Sequence, residues 1–446
     1  MKELTKGSIL PIILSFTLPI FIGNLFNQFY MLADTRIVGT YLGNDALAAV
    51  GSVSTLSDLV VNFIIGLANG FAVIIARHFG MGDRDSVRHA FASAISLGLV
   101  ITGIIMMVSL TFLMPILSLI NVSAEHLEYS AAYISIIFAG LIFTCLYNLL
   151  AAGLRATGDA YTPLFFLIFS AGMNVVLDLI FIGRLGAGVK GAAFATVISQ
   201  LLSVVLCLIY TYVRYPELRF RLGDFIPGHR LLQELLPAGF SMGIMQCLVS
   251  FGTLALQGAI NTLGTNTIVA HSATRKMSSL YMMPFGSLGT TMATFAGQNY
   301  GAGRLDRVRK GLVLTLAISY VWCLIVQVLT YLCYPLFITS ITDTDIQEVI
   351  DIAWRYQKIN VIFYVICPTI CIVRNTLQGI GDHITPIISS AMELIGKLAI
   401  ALIFTPIFAY WAVIWSEPIV WIIMVIPLLI SIIGRLRGSE IRKEIL

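Results

Sequence analysis

The chain has 446 residues, 58% of them hydrophobic and 11% charged, with a formal net charge of +4 and a mean hydropathy of +0.91. Soluble domains carry roughly 25% charged residues, so composition excludes a water-soluble globular protein and points to a polytopic membrane protein. The positive excess does not indicate nucleic acid as a partner, because the basic residues gather in short segments between apolar runs.

Runs of about 20 apolar residues mark membrane spans. In chain order they fall near 11–35, 46–77, 91–116, 128–154, 162–183, 190–213, 231–262, 267–298, 311–338, 348–374, 385–407 and 410–434. That makes twelve, with connections too short for any soluble domain. The start, MKELTKGSILPIILSF, has no short apolar region followed by a small-residue cleavage site, so no cleavable signal is expected. The seven cysteines lie within apolar runs without metal-ligand spacing and read as small apolar fillers.

Lys and Arg concentrate on one side. With the N-terminus inside, the inner segments hold Lys2, Lys6, Arg77, Arg84, Arg88, Arg155, Arg214, Arg219, Arg221, Arg230, Arg304, Arg307, Arg309, Lys310, Arg374, Arg435, Arg437, Arg442 and Lys443. The outer loops hold only Arg36, Arg184 and Lys190. Both termini are therefore expected in the cytoplasm of a cell membrane protein. The basic stretch 214–230 reads as a solvated linker between an N-lobe, 1–213, and a C-lobe, 231–446.

The two halves repeat. LRATGDAYTP from Leu154 recurs as LQGIGDHITP from Leu377, an offset of 223. GMGDRDSVR from Gly80 matches GAGRLDRVR from Gly301, and YLGNDALAAVGS from Tyr41 resembles TLGTNTIVAHSA from Thr262, both at 221. Six spans are an even number, so both copies enter from the same side. The expected fold is all-α: twelve helices in two parallel, pseudo-symmetric six-helix lobes around a central cavity. The Gly-Asp turns end long spans, and Pro163 and Pro386 open the next ones. No lysine-serine or lysine-threonine pair follows a Gly-rich loop, so nothing is built to bind ATP.

Polar residues inside spans carry the functional signal. A carboxylate near mid-membrane costs roughly 2.5–3.5 kcal/mol on insertion scales and faces a bundle interior or a water-filled cavity. Span five, MNVVLDLIFIG from Met173, holds Asn174 and Asp178 four apart, on one helix face. Span one holds Asp34. Asp34 plus 221 is Ala255 and Asp178 plus 223 is Ala401, so only the first copy has these acids. That is the pattern expected if one lobe carries the energy-coupling ion of a transporter; an acid serving only packing is the alternative.

GQNYGAG (297–303), the paired GD…TP loops, ADTRIVG (33–39) and NVVLD (174–178) together resemble the multidrug and toxin extrusion (MATE) transporters over essentially the whole chain. The resemblance implies export of organic, often cationic, compounds driven by Na⁺ or H⁺ entry, with no other cofactor. It implies an N-lobe cation site of Asp34, Asn174, Asp178 and Thr196, a backbone carbonyl from Ala192, Tyr30 in the same pocket, and Pro19 as the bend in helix one. Acids at a second, C-lobe cation site are not matched: the positions read Gln246 and, in span ten, Asn375. Two carboxylates with neutral oxygens suit Na⁺. They equally suit a proton, because two close carboxylates cannot both stay ionised away from water. Sequence does not choose between the ions.

Other polar positions are open. Asp58 lines the cavity or sits near the outer face. Glu393 and Lys397 are spaced i,i+4 and either neutralise each other or contact substrate. Glu417 lies in span twelve toward its outer end. Arg275 and Lys276 open span eight in an exposed position. Tyr281, Met282, Met283 and Phe285, around Pro284, form an adaptable Met-aromatic surface that either lines the substrate cavity or packs. The six histidines fall mostly in or near loops. No HExxH or GxSxG motif is present, so the chain is not read as an enzyme. It is read as a monomeric secondary antiporter of small organic molecules in the lipid bilayer. A lipid-linked precursor flippase of the same superfamily is the first rival, and a channel a weaker one.

Overall fold

The computed structural model describes residues 3–120, 122–215, 218–342 and 346–444. Lys2, and the side chains of Arg437, Arg442 and Lys443, which enter the orientation argument, lie outside the described residues. Every α- or π-helical run follows an apolar stretch, and the described residues contain no strand.

The first helix is longer than a single span. Ile9–Met81 is helical over 73 residues. At about 1.5 Å per residue it would run about 110 Å, far beyond the roughly 30 Å hydrocarbon core. It breaks at Gly43, the one interior residue outside helical dihedrals (φ 81°, ψ −175°), and so supplies spans one and two. Where a loop is expected near 36–45, a single glycine suffices. Pro19 sits within span one at helical dihedrals, its ring removing one rung of hydrogen bonding.

Spans three to six are Arg84–Thr111, the pair Leu127–Ala139 and Leu141–Ala156 bent by 44°, Tyr161–Arg184, and Gly188–Arg214. Spans seven to nine are His229–Ile260, Thr265–Gly301 and Leu305–Thr342. Spans ten to twelve are the pair Gln347–Phe363 and Ile366–Gly379 bent by 50°, Ile384–Phe408, and Tyr410–Glu444. The twelve expected helices are present, with ends shifted by a few residues. Span eight is not among the helices apolar enough to count as a span by composition alone.

The backbone repeats at the offsets seen in the sequence. Left-handed residues pair as Gly43 with Gly264, Gly82 with Gly303, Gly158 with Gly381, and Gly186 with Ala409. Ala409 (φ 49°) is the only non-glycine with positive φ among the described residues. Span five ends in a π-helical turn, Leu179–Arg184, and span eleven contains one at Ile400–Phe404. The GD…TP loops also share their chemistry. Asp159 accepts from Thr162 N (3.0 Å) and Oγ1 (2.6 Å), and Asp382 accepts from Thr385 N (3.1 Å) and Oγ1 (2.7 Å). Each aspartate thus caps the helix that its proline helps to open.

The chain divides into two compact units: Met1–Leu4 with Leu18–Gly243, and Thr5–Thr17 with Ile244–Leu446. The division falls inside span seven, and 214–230 lies wholly in the first unit. The reason is close helix packing: a Cβ on Gly66 or Gly70 of span two would collide with the backbone at Met242 or Ala238. The first unit buries a core of Phe71, Phe91, Phe138, Ile74 and Leu150. Residues 218–225 of segment 214–230 are held rather than free. Arg88 Nε reaches Asp224 Oδ2 at 2.9 Å, Arg221 N reaches the same oxygen at 2.8 Å, and Phe220 packs edge-on against Phe91 (5.4 Å) and Phe225 (5.6 Å).

Two predictions follow from this backbone. Nothing lies within 4 Å of a Cβ on Gly186, so Gly186→Ala should destabilise through dihedral strain alone, by about 1–2 kcal/mol. Ala409→Gly should stabilise by about 1 kcal/mol, and thermal unfolding that moves both variants the same way would contradict the shared turn. Burial raises the Asp224 carboxyl, but the Arg221 N–H and the Arg88 guanidinium outweigh it and hold the group below the ordinary carboxylate range. A depressed folded pKa makes this anchor fully present above about pH 4 and lost as pH falls through the lower folded value. Asp224→Ala should therefore speed protease cleavage of 214–230 at neutral pH; an unchanged cleavage rate would show the anchor to be idle.

Candidate functional site

In the first unit, three i,i+4 pairs from three helices converge. They are Tyr30 and Asp34 of span one, Asn174 and Asp178 of span five, and Ala192 and Thr196 of span six. Asp178 and Asn174 are 0% and 1% exposed, which the cost of burying polar groups makes notable; Asp34 is half-buried. The Asp34 and Asp178 carboxyls meet at hydrogen-bonding range. Such a contact between two acids needs a proton between them. With its amide turned to suit its neighbours, Asn174 donates to Asp178 Oδ2 at 2.9 Å and accepts from Thr196 N at 3.1 Å. Thr196 Oγ1 lies 3.2 Å from the Ala192 carbonyl, and the Tyr30 hydroxyl reaches Thr196. All six residues expected at the site are thus neighbours.

Each acid keeps one buried oxygen, Asp34 Oδ1 and Asp178 Oδ1, with no hydrogen-bond donor. Orphaned buried oxygens are costly, and a cation or a proton would satisfy them. Among the described residues no cluster of three or more His, Cys, Asp and Glu forms. The donor set is therefore two carboxylates with neutral oxygens, the hard kind that Na⁺ accepts. An apolar cluster flanks the site: Val38, Ile182 and Ala192, with Val50 and Tyr133 packed against it. The π-helical turn carries Ile182.

Tyr133, from Leu127–Ala139, was not singled out from sequence. It lies within electrostatic reach of Asp34, Asp178 and Asp58. A lone tyrosine among apolar residues gave no signal. Asp58 itself is exposed.

The second unit holds different chemistry. Glu393 and Lys397 form the expected pair, at 2.8 Å, and are 6% and 3% exposed. The pair belongs to a longer chain. Lys397 Nζ is also 3.7 Å from Glu417 Oε1, which accepts from Arg275 Nη1 at 3.1 Å, and Glu393 Oε2 is 3.9 Å from Arg374 Nη2. Arg275 therefore does not open span eight in the open. The helix starts at Thr265, ten residues earlier, which carries Arg275 inward to Glu417; Lys276 alone is exposed. His271 is an exception to the loop placement of most histidines: it is 2% exposed, inside span eight, between Tyr356 and Tyr410.

Of the residues expected to line a cavity, Gln246, Tyr281, Met282 and Met283 are half-buried. Trp322 Nε1 donates to the Tyr281 carbonyl at 3.0 Å. Phe285 is 1% exposed and is a core side chain rather than a lining one, because its helix face turns into the bundle.

Comparison with known proteins places the chain. The family model MatE matches twice, at residues 19–180 and 242–405, once for each copy of the repeat. The chain is 28% identical to the "Probable multidrug resistance protein YoeA" of Bacillus subtilis, over 85% of this chain and 83% of that one. It is 26% identical to the "Probable multidrug resistance protein NorM" of Thermotoga maritima, over 86% and 82%. It is 22% identical to a "FAD transporter" of Shewanella oneidensis, over 76% and 75%. Among solved structures, the fold matches an outward-facing multidrug resistance MATE family transporter with a TM-score of 0.86 at 24% identity, covering 99% and 97% of the two chains.

Removing one partner of a buried ion pair costs about 3–5 kcal/mol. Lys397→Met should therefore lower stability by that order, since it leaves Glu393 and Glu417 without their shared cation. The double variant Glu393→Gln, Lys397→Met should recover most of the loss in denaturant unfolding; a loss equal to the sum of the single effects would dissolve the pair.

Proposed function

The chain belongs to the MATE family of multidrug efflux transporters, and from that premise we propose that it is a secondary antiporter in which Asp34 and Asp178 carry the coupling ion. Na⁺ or H⁺ enters and an amphipathic organic compound leaves. One observation carries this reading: two carboxyls meet inside the first unit, each with a buried oxygen that lacks a donor, and the second copy of the repeat has alanine at both positions.

A proton shared by the two acids, or a Na⁺ held by them with Asn174, Thr196 and the Ala192 carbonyl, neutralises charge that is expensive to bury. Occupancy then shifts the helices carrying the three i,i+4 pairs toward the arrangement that binds the ion best. Cargo favours the other arrangement, and the mutual disfavour of ion and cargo makes the exchange obligatory. Tyr133 and Tyr30 shape the pocket beside the acids. Gln246, Tyr281, Met282 and Met283, half-buried in the second unit, are proposed to contact cargo. The relatives' names, multidrug resistance and in one case FAD transport, support an organic small-molecule cargo without fixing its charge. The excess of Lys and Arg on one side supports cytoplasmic termini in a cell membrane, and the protein is proposed to work as a monomer.

Efflux of a fluorescent cationic dye from proteoliposomes tests this reading. An imposed Na⁺ gradient or an imposed pH gradient should drive efflux in the wild type. Asp178→Asn should reduce the rate to that seen without a gradient. Wild-type rates in that variant would remove the acids from the mechanism.

A further inference from the structure

The charge chain of the second unit does not balance. Arg275, Lys397 and Arg374 are three cations, and Glu417 and Glu393 are two anions, giving +1 among buried or half-buried groups within membrane spans. An unpaired charge in that setting is costly. The surplus is localised by geometry. Arg275 is hydrogen-bonded to Glu417 at 3.1 Å, and Lys397 to Glu393 at 2.8 Å. Arg374, 7% exposed, reaches Glu393 only at 3.9 Å, and its Nε and Nη2 are buried with no hydrogen-bond acceptor. Those two N–H groups lie on one edge of the guanidinium. That edge is the side-on fork that fits two oxygens of a carboxylate or phosphate. Drawing Glu393 Oε2 closer to Arg374 would leave the sum at +1.

We propose that the Nε–Nη2 edge of Arg374 binds one oxyanion, a carboxylate or a phosphate, which completes the charge chain of the second unit. The oxyanion comes from a soluble amphipathic anion or from a phospholipid headgroup; the two share the chemistry and differ in source. That the soluble anion is cargo rests on the exporter reading, whereas the binding itself does not. The repeat sharpens the point. At an offset of 223, Lys397 stands where the first copy has Asn174, and Ala401 where it has Asp178. One backbone position thus serves an acid-based site in one copy and a base-rich one in the other.

The full-length protein in phosphatidylcholine nanodiscs can be titrated with 1-naphthoate and 1-naphthyl phosphate by fluorescence. The wild type should bind both. Arg374→Gln should weaken binding about ten-fold or more, from the loss of two charge-assisted hydrogen bonds. Arg374→Lys, which keeps the charge and loses the fork, should fall between. Glu393→Gln should tighten binding, because the chain rises to +2; a merely structural role for the cluster would not produce that gain. Phosphatidylglycerol doped into the discs identifies a lipid headgroup as the occupant if it competes, and a soluble anion if it does not. Absence of binding, binding indifferent to Arg374→Gln, or weaker binding in Glu393→Gln would overturn the proposal. If Arg374→Gln does not fold, the other two variants decide. None of these outcomes bears on gradient-driven dye efflux, so the two readings fail separately.

Discussion

The cost of placing charge inside a membrane governs this molecule. Each buried ionic group must find a partner, a proton or an ion, because the surrounding lipid offers none. The two units answer that constraint differently on the same backbone. The first brings two acids together, each with a buried oxygen that lacks a donor. The second links five charges end to end. The glycine turns, the bent helix pairs and the π-helical turns are common to both and set where those side chains lie.

The division of roles follows from the repeat. A duplicated six-span unit gives two equivalent sets of positions, and substitution at a few of them separates their chemistry. Asn174 and Asp178 have Lys397 and Ala401 as counterparts, so one helix face reads amide and acid in one copy and ammonium and methyl in the other. A pair of facing acids and a cluster of net positive sign then coexist in a chain whose fold needs only one design.

Much of this was legible in the sequence. Twelve apolar runs and three motif pairs at offsets of 221 and 223 gave the span count and the repeat. The i,i+4 spacing of Asn174 and Asp178 gave a shared face, and the resemblance added Thr196, Ala192 and Tyr30. What stayed hidden depends on contacts distant in sequence. Arg275 and Glu417 are 142 residues apart, and no local pattern links them. Arg275 reads as exposed because a lone charge suggests a span end, whereas it lies well inside the helix that starts at Thr265. Phe285 read as a lining residue because periodicity does not tell a core face from a cavity face in an all-apolar helix. The turn at Gly43 was missed because one residue with positive φ does the work of a loop.

The central claim is that ion and cargo exclude each other through Asp34 and Asp178. The most direct measurement is the equilibrium affinity of the purified protein for a cationic dye, at increasing Na⁺ and separately at decreasing pH, in the wild type and in Asp178→Asn. The account predicts that one of the two ions weakens dye binding in the wild type and that the substitution abolishes the dependence. Dye affinity indifferent to both ions, or a dependence that survives Asp178→Asn, would contradict it.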